Sequence, residues 1–261
     1  MKNKNKNFKI SYYLRKFYSY KFINFFFSES FIRKKIFKNI FDSGYWIDYD
    51  ISSNQSRSGK GSNFENTLQL KIDLKSFFKR NNIKKILDVG CGDFNWMSNL
   101  LEDMDFESYC GVDIVEKLID QNNKKYRNNK IKFICKDFIN DDFKFIEDFD
   151  FILIRHVFIH LKNNNIKNIL DKIKAAKIQY VGITSDPRLK NNLDLKTEGR
   201  FREINFTFKP FSLGKPFQVL RDIDPGRDLC GFMLETFQGW GAVFYPKEFV
   251  QALMEFAKKY N

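Results

Sequence analysis

Residues 84–97, KKILDVGCGDFNWM, decide how the chain folds. Residues 84–89 form a short apolar run with one carboxylate, Asp88, and lead directly into the glycines Gly90 and Gly92. A segment with helix-forming composition follows. A strand that breaks at glycines into a helix brings free backbone N–H groups and a close backbone approach to one point. The pattern predicts a β-turn-α unit that cradles a nucleotide-like cofactor. The alternative is a structural junction that binds nothing.

The residues after the first two glycines indicate which cofactor is meant. The dinucleotide fingerprint G-x-G-x-x-G requires a third glycine where this chain has Asn95, so nothing brings helix and strand together around a pyrophosphate. Residues 88–94, DVGCGDF, instead resemble motif I of class I S-adenosylmethionine-dependent methyltransferases, D/E-x-G-x-G-x-G. Phe94 replaces the last glycine of that motif.

Three further units follow in which a short apolar segment ends at an acidic or basic residue. The first ends at Asp113, the second (residues 131–135) precedes Asp137, and the third (residues 149–154) precedes Arg155 and His156. An acid at such a strand end can hydrogen-bond ribose hydroxyls. Four units in this order favour the methyltransferase interpretation.

The spacing of apolar segments predicts an α/β fold of the Rossmann-like class I methyltransferase type. We expect a mainly parallel seven-stranded sheet with helices on both faces, plus amino-terminal helices. Parallel strands are predicted near 84–89, 107–112, 131–135, 149–154 and 178–184, and helices near 65–80, 95–102, 115–126 and 164–176. Segments 217–220 and 231–237 are expected to form an antiparallel hairpin, and a closing helix begins at Pro246.

Charge and composition divide the chain into two parts. Residues 1–41 contain eleven Lys or Arg and one Glu, which is most of the net charge of +13. We therefore predict a basic, aromatic-rich helical extension over 1–43 and a methyltransferase domain over 44–261. The predicted domain comprises a lid and lead-in helix (44–82), a cofactor-binding core (83–185) and a substrate-side tail (186–261).

The amino-terminal extension allows three interpretations. Basic residues interleaved with aromatics over 8–41 suit an interfacial helix on an anionic membrane or, less favoured, nucleic acid. Alternatively, a helical hairpin capped at Ser28 or Ser30 packs on the body. The chain has neither a secretory signal pattern nor an apolar stretch long enough to span a bilayer, so we expect a cytoplasmic protein, with peripheral contact at the inner membrane face as an option.

The cysteines and histidines argue against disulfides and metals. Cys91, Cys110, Cys135 and Cys230 form no C-x-x-C pair, and three lie in or beside predicted strands, so we expect reduced, buried thiols. The two histidines, His156 and His160, lack the intervening glutamate of a metalloprotease helix, and no metal is expected.

Further motifs are similar to a bacterial group of class I methyltransferases whose substrates are mostly unassigned and which often accompany surface-polysaccharide assembly. The resemblance covers roughly residues 45–237. It is carried by Ser58-Gly59-x-Gly61-Ser62, Asn66-Thr67, Leu87-Asp88, residues 91–97 (CGDFNWM), Arg155-His156, His160-Leu161, Arg202, Asn205 and Pro210-Phe211. His156 stands where that group usually has aspartate.

The resemblance implies a set of site residues. The cofactor S-adenosyl-L-methionine is expected to contact Asp88, Gly90, Cys91, Gly92, Phe94, Asn95, Trp96, Asp113, Ile114, Asp137, Phe138 and Arg155. The acceptor is expected to contact Ser58, Asn66, Arg155, Arg202 and Asn205. The Ser/Gly/Lys loop at 56–62 is either a linker or a lid over the substrate. Arg155 either binds an anionic acceptor or pairs with Asp113 or Asp150.

The expected reaction is O-methylation of a small-molecule or saccharide acceptor, for which a general base is useful. His156, at the tip of the fourth strand, is the best-placed candidate, followed by His160 and Asp186; His160 is equally compatible with a structural role. Nucleic-acid methylation is a rival, although strand four lacks the Asn/Asp-Pro-Pro-aromatic loop typical of that activity. A non-catalytic scaffold is the other rival.

Overall fold

A computed structural model describes residues 27–47, 56–141, 144–222 and 228–234, the last range and residues 221–222 as backbone only. Its centre is a sheet. Five parallel strands, β1 (Lys85–Val89), β2 (Ser108–Asp113), β3 (Ile131–Cys135), β4 (Phe151–Ile154) and β5 (Tyr180–Ser185), lie in the order β3-β2-β1-β4-β5. The antiparallel strands β7 (Asp228–Leu234) and β6 (Gln218–Asp222) extend the sheet beyond β5.

Five α-helices accompany the sheet in the described residues. They are α1 (Glu29–Asp42), α2 (Phe64–Arg80), α3 (Asn95–Leu101), α4 (Glu116–Tyr126) and α5 (Asn163–Ala175). Apolar side chains of α2 and α3, such as Leu70, Leu74 and Met97, pack in one core cluster, whereas Ile166 and Ile169 of α5 pack in another. Each strand side chain points to one face or the other, so the two clusters are the two sides of the sheet.

The predicted Rossmann-like α/β architecture is confirmed. The parallel part of the sheet has five strands rather than seven, because the two last strands pair antiparallel as the predicted hairpin. The predicted closing helix from Pro246 lies outside the described residues.

One burial prediction is wrong. Cys91 and Cys110 are free and buried, but Cys135 is exposed. β3 is the outermost strand of the sheet, so its side chains are covered less completely than those of central strands. The side chain of Cys230, in β7, is not described.

Helix α1 packs on the body of the protein. Its N-cap is Ser28, whose hydroxyl accepts a hydrogen bond from the Phe31 backbone N–H, as the sequence predicted. The apolar side chains Ile32, Ile36 and Ile40 are buried together. Arg33 is buried on the same helix and pairs with acids from two distant segments. Residues 29–42 therefore form one wall of a cavity at the edge of the sheet.

Candidate active site

A cavity of about 520 Å³ opens at the carboxyl ends of the parallel strands. The strand-end residues that line it are Gly90 and Gly92 after β1, Asp113 at the end of β2, Asp137 and Phe138 after β3, Arg155 and His156 after β4, and Asp186 after β5. Residues from the ends of all five parallel strands therefore meet at one edge of the sheet. The volume falls within the usual range for small-molecule sites.

The glycine turn after β1 is built by backbone geometry. Gly90 and Gly92 have φ values of 75° and 57°, in the left-handed region that glycine adopts without steric cost. The amides of Gly90 and Cys91 donate to the Val112 carbonyl, and the Asn122 side chain donates to the Gly92 carbonyl at 2.8 Å. The turn is thus held by β2 and α4 while its backbone lines the cavity.

Asp113 connects this turn with the end of β2. Its carboxylate accepts hydrogen bonds from the Gly92 N–H at 3.2 Å and from the Val115 N–H at 3.0 Å. Burial raises its pKa, and these backbone donors oppose the rise. A carboxylate held at this place has lone pairs left for ribose hydroxyls, since each oxygen accepts more than one hydrogen bond.

Asp88 lies beneath the cavity and does not line it. Its Oδ2 accepts a hydrogen bond from the Tyr109 hydroxyl at 2.8 Å, and both side chains are buried. Burial raises the pKa of Asp88 to about 7, although the Tyr109 hydrogen bond and the positive charge of Arg155 oppose that rise. Its place indicates a supporting role under the glycine turn.

Phe94 replaces the last glycine of methyltransferase motif I. Its backbone has the left-handed conformation that a glycine would adopt there, with φ 58°. Its side chain is 1% exposed and packs against Tyr109, Tyr126 and Phe133 with ring centroids 4.8–5.0 Å apart. The phenyl ring therefore anchors the turn in the core and does not line the cavity. The side chain of Phe94 is therefore not placed to make the cofactor contact that the resemblance implied.

The loop over residues 56–62 covers the glycine turn. The Asp93 carboxylate accepts from the Ser56 hydroxyl and from the Arg57 N–H, at 3.1 and 2.7 Å, while the Asp93 N–H donates to the Ser58 hydroxyl at 2.9 Å. Arg155 donates to the Gly61 carbonyl at 2.7 Å. The loop is therefore fastened at both ends, and residues 57–62 line the cavity.

Arg155 has its own support from α3. Its guanidinium carbon lies 5.1 Å from the ring centroid of Trp96, within cation–π range, and the side chain is buried. Trp96 itself does not line the cavity. The structure therefore pairs Arg155 with the loop and with Trp96.

Helix α1 closes the cavity beside β3 through a buried ion network. Arg33 donates to both carboxylate oxygens of Asp137 and to Glu198, and Ser30 donates to Asp137 at 2.6 Å. Asp137, predicted to contact adenine, does border the cavity. Its carboxylate is already engaged by helix α1.

Two histidines border the opposite end of the cavity. His160 has its Nδ1 2.9 Å from the Arg200 carbonyl oxygen, and its ring stacks on Trp46 with centroids 4.9 Å apart. Since a carbonyl oxygen only accepts, Nδ1 carries the proton, and Nε2 is the basic nitrogen of the neutral ring. His156 has a left-handed backbone with φ 57°, and its N–H donates to the Thr184 hydroxyl.

Asp186 is less suited to accept a proton. Its carboxylate accepts from the backbone N–H and the guanidinium of Arg188, and these hydrogen bonds lower its pKa. A carboxylate with a lowered pKa is a weaker base.

Several predicted site residues do not border the cavity: Asp88, Cys91, Phe94, Asn95, Trp96, Asn66, Arg202 and Asn205. Asn205 is 2% exposed and uses its amide to hold the Leu189 carbonyl and the Thr207 hydroxyl. Arg202 donates to the Leu161 carbonyl and to Asn163. Both residues shape the segment after β5 from behind the site.

Sequence analysis did not predict several residues that border the cavity or hold its loop. Arg33, Trp46 and Phe201 border the cavity, and Asp93 holds its loop. Asp93 adjoins the glycine turn, so its position was a usable signal. Arg33 carried no such signal, because its partners lie more than 100 residues away.

Comparison with known families decides what kind of site this is. Residues 86–176 match a family model described as a methyltransferase domain.

The chain contains a methyltransferase domain. It is an enzyme with a methyl acceptor as substrate, and the cofactor of its domain is S-adenosylmethionine. No curated protein sequence matches the chain.

Solved structures of low sequence identity share the fold of this methyltransferase. A bacterial CtHen1 methyltransferase domain is 20% identical with a TM-score of 0.52, over 65% of this chain and 99% of its own. Magnesium protoporphyrin IX methyltransferase from Synechocystis PCC 6803, solved with S-adenosylmethionine, is 14% identical with a TM-score of 0.52, over 77% and 94%. The PH0226 protein from Pyrococcus horikoshii OT3 is 19% identical with a TM-score of 0.50, over 65% and 89%.

The residues at the cavity fit this cofactor. The left-handed glycine turn presents backbone at one end, and the Asp113 carboxylate faces the same space. Apolar side chains next to Asp113, including Ile114 and Leu118, border the cavity where an adenine ring would need an apolar wall. When bound, S-adenosylmethionine supplies an electrophilic methyl group on a sulfonium.

Two further findings concern metals and membranes. Within the described parts of the chain, no cluster of three or more His, Cys, Asp or Glu side chains is arranged to hold a metal ion. None of the helices over these residues has both the length and the apolar character needed to cross a bilayer.

Proposed function

We propose that this methyltransferase methylates a hydroxyl oxygen of a small-molecule or saccharide acceptor, with His160 as the general base. The observation that carries the proposal is the hydrogen bond from His160 Nδ1 to the Arg200 carbonyl, which fixes the tautomer with Nε2 as the basic nitrogen. A neutral imidazole at a cavity can accept the proton of a hydroxyl near physiological pH. The saccharide option rests on the resemblance to enzymes that accompany polysaccharide assembly.

We assign the cofactor and the acceptor to opposite ends of the cavity. Asp113 and the glycine turn hold the cofactor end of the cavity, and the loop over 56–62 covers that end and limits access of water. The acceptor occupies the end bordered by Trp46, His156 and His160. With S-adenosylmethionine bound, Nε2 of His160 would accept the proton of the acceptor hydroxyl, and the cofactor would supply the methyl group and leave as S-adenosylhomocysteine. Alignment of the two reactants is worth up to roughly 7–11 kcal/mol, and the base adds about 10²–10⁴-fold.

His156 is the alternative base, as its place at the tip of β4 suggested. It borders the same cavity, and its left-handed backbone is of the kind that often marks functional positions. The Arg200 carbonyl fixes the tautomer of His160 so that Nε2 is its basic nitrogen. We therefore rank His160 first.

The test does not require the acceptor to be known. The protein is incubated with S-adenosyl-[methyl-¹³C]methionine and a deproteinised small-molecule extract of its source cells, and the carbon shift of the product distinguishes O-methyl from N-methyl groups. We expect an O-methyl signal that falls about 10²-fold or more in His160→Gln, with unchanged S-adenosylhomocysteine affinity by calorimetry.

Other results would reassign the function. An N-methyl signal, or label that appears only when the cells' RNA is added, would support the nucleic-acid alternative. No cofactor binding would support a scaffold. A loss of signal in His156→Gln with full activity in His160→Gln would move the base to His156.

We also propose peripheral contact of residues 8–41 with an anionic membrane, for part of which the structure offers support. Phe27, just before α1, stacks on Phe31 of α1 at 4.9 Å, both rings are exposed, and Lys35 lies 5.9 Å from the Phe31 ring. Aromatic and basic side chains on one exposed face suit an anionic lipid surface. Flotation with anionic liposomes should carry the protein, and Phe31→Ala should weaken that association. Equal flotation with neutral liposomes would contradict it.

A further inference from the structure

The acceptor end of the cavity has an aromatic wall. Trp46 stacks on His160 at 4.9 Å, Phe37 lies 6.2 Å from Trp46, and the Phe201 ring lies 6.4 Å from His160 at an interplanar angle of 60°. These rings come from three separate segments: α1, the turn after it, and the segment after β5. The fold therefore assembles an aromatic surface around the imidazole of His160.

Aliphatic and polar side chains complete this end of the cavity. Ile159, Leu161 and Ile204 border the cavity and are buried. Its two carboxylates, Asp186 and Glu203, both lie within ion-pair distance of Arg188. The Thr184 hydroxyl accepts from the His156 N–H. The two carboxylates and the Thr184 hydroxyl at this end are thus engaged with groups of the protein itself.

Two of the bordering aromatic residues are unusually exposed. Tyr45 and Phe201 line the cavity with 45% and 66% of their surfaces accessible. Burial of such large apolar side chains by a ligand is favourable, and paired aromatic rings gain about 0.5–1.5 kcal/mol beyond the area they bury. An occupant that covers Phe201 would obtain that gain.

We infer that the acceptor is a planar aromatic ring that carries the reacting hydroxyl, packed against the wall formed by Trp46 and Phe201 with its oxygen toward His160. This inference rests on the proposed O-methylation and narrows its acceptor from small molecules and saccharides to ring hydroxyls. A polyol would have to compete with Arg188 for the two carboxylates at this end, whereas an aromatic ring gains contact with the wall without them.

The test measures binding, so that it does not depend on turnover. Protein saturated with S-adenosylhomocysteine is titrated with 2-naphthol, followed by the fluorescence of the probe, and methyl β-D-glucoside is offered as a competitor. We expect 2-naphthol to bind and the glucoside not to displace it. Phe201→Ala and Trp46→Ala should each weaken binding by about fivefold to tenfold.

A matched control distinguishes binding at this site from non-specific binding to exposed aromatic side chains. Phe31 is 45% exposed but does not border the cavity, so Phe31→Ala should bind 2-naphthol like the parent protein. Phe201 is mostly exposed, so its substitution should leave the fold intact even if that of Trp46 does not.

Three results would overturn the inference: no binding of 2-naphthol, displacement by the glucoside at equal concentration, or equal affinity in Phe201→Ala and Phe31→Ala. Each of these results tests only whether the acceptor end of the cavity binds an aromatic ring. Loss of the O-methyl signal or of S-adenosylhomocysteine binding in the earlier assays would instead count against the proposed function, so the two failures are distinguishable.

Discussion

Nη2 of Arg33 lies 2.9 Å from Oδ2 of Asp137, and both side chains are at most 2% exposed. The same guanidinium reaches Glu198 at 3.0 Å. Burial opposes the charge on Arg33, but its two acidic partners hold the pKa above its ordinary value. One side chain of the amino-terminal helix thus joins the loop after β3 and the segment after β5 at the wall of the cavity.

Removal of this guanidinium should destabilise the protein strongly. Arg33→Met leaves the buried carboxylate of Asp137 without its cationic partner, which typically costs about 3–5 kcal/mol. Urea unfolding measures the change. Lys38→Met is the control on the same helix, because Lys38 is 61% exposed in its pair with Asp42 and should matter by about 0.5 kcal/mol or less. Equal effects of the two substitutions would show that α1 does not dock as described.

Substitution of Asp113 should abolish tight cofactor binding. Asp113→Ala removes the carboxylate proposed for the ribose and also the acceptor of the Gly92 and Val115 amides. Hydrogen bonds to charged groups contribute about 1.5–3 kcal/mol each, so S-adenosylhomocysteine affinity by calorimetry should fall roughly 100-fold or more. Asp120→Ala, on the exposed side of α4, should bind normally. Unchanged affinity in Asp113→Ala would remove this residue from the cofactor site.

The loop over 56–62 should open more often without Asp93. Asp93→Ala removes the acceptor of the Ser56 hydroxyl and the Arg57 N–H, whereas Arg155 still holds Gly61. The loop contains two trypsin sites, after Arg57 and Lys60. We expect native-state cleavage there to become about tenfold faster, as a loss near 1.4 kcal/mol implies, with the sites assigned by mass spectrometry. Asp103→Ala, at an exposed position after α3, is the control, and this variant should be cleaved at the parental rate. Cleavage of Asp93→Ala at the parental rate would show that other contacts fasten the loop.

Asp88 should make stability fall with rising pH. Its pKa is about 7 in the folded protein, against about 3.9 in an unfolded chain, so the folded state binds the proton more tightly. This contribution is complete below about pH 4 and is lost as pH rises to about 7. The free energy of unfolding of Asp88→Asn relative to the parent should therefore rise across this window, by about 4 kcal/mol at most.

Denaturant titrations at pH 4 to 8 measure this difference. Asp105→Asn provides a control of opposite sign, because hydrogen bonding to Lys84 lowers the pKa of that exposed carboxyl. A pH-independent difference between Asp88→Asn and the parent would contradict the raised pKa.

The sheet and its functional edge were predictable because their causes are local. Apolar runs ending at Gly90, Asp113 and Arg155 mark strands, and right-handed crossovers place those ends together. The Ser28 cap and the final hairpin follow from equally short patterns.

What could not be predicted depends on long-range packing. Phe94 was expected at the cofactor, yet its ring turns into the core, a choice made by Tyr109, Tyr126 and Phe133. Arg33 is one of eleven basic residues in a segment that looked like a solvated extension. Its burial depends on acids 104 and 165 positions away.

The same separations set an order for synthesis. Helix α1 leaves the ribosome first, but its Arg33 cannot leave water until residue 198 has also emerged and folded, because a buried guanidinium without its acids is strongly disfavoured. The glycine turn and the first four strands of the sheet are therefore synthesised before the wall formed by α1 can close, and the cavity is completed only after residue 198 has been made.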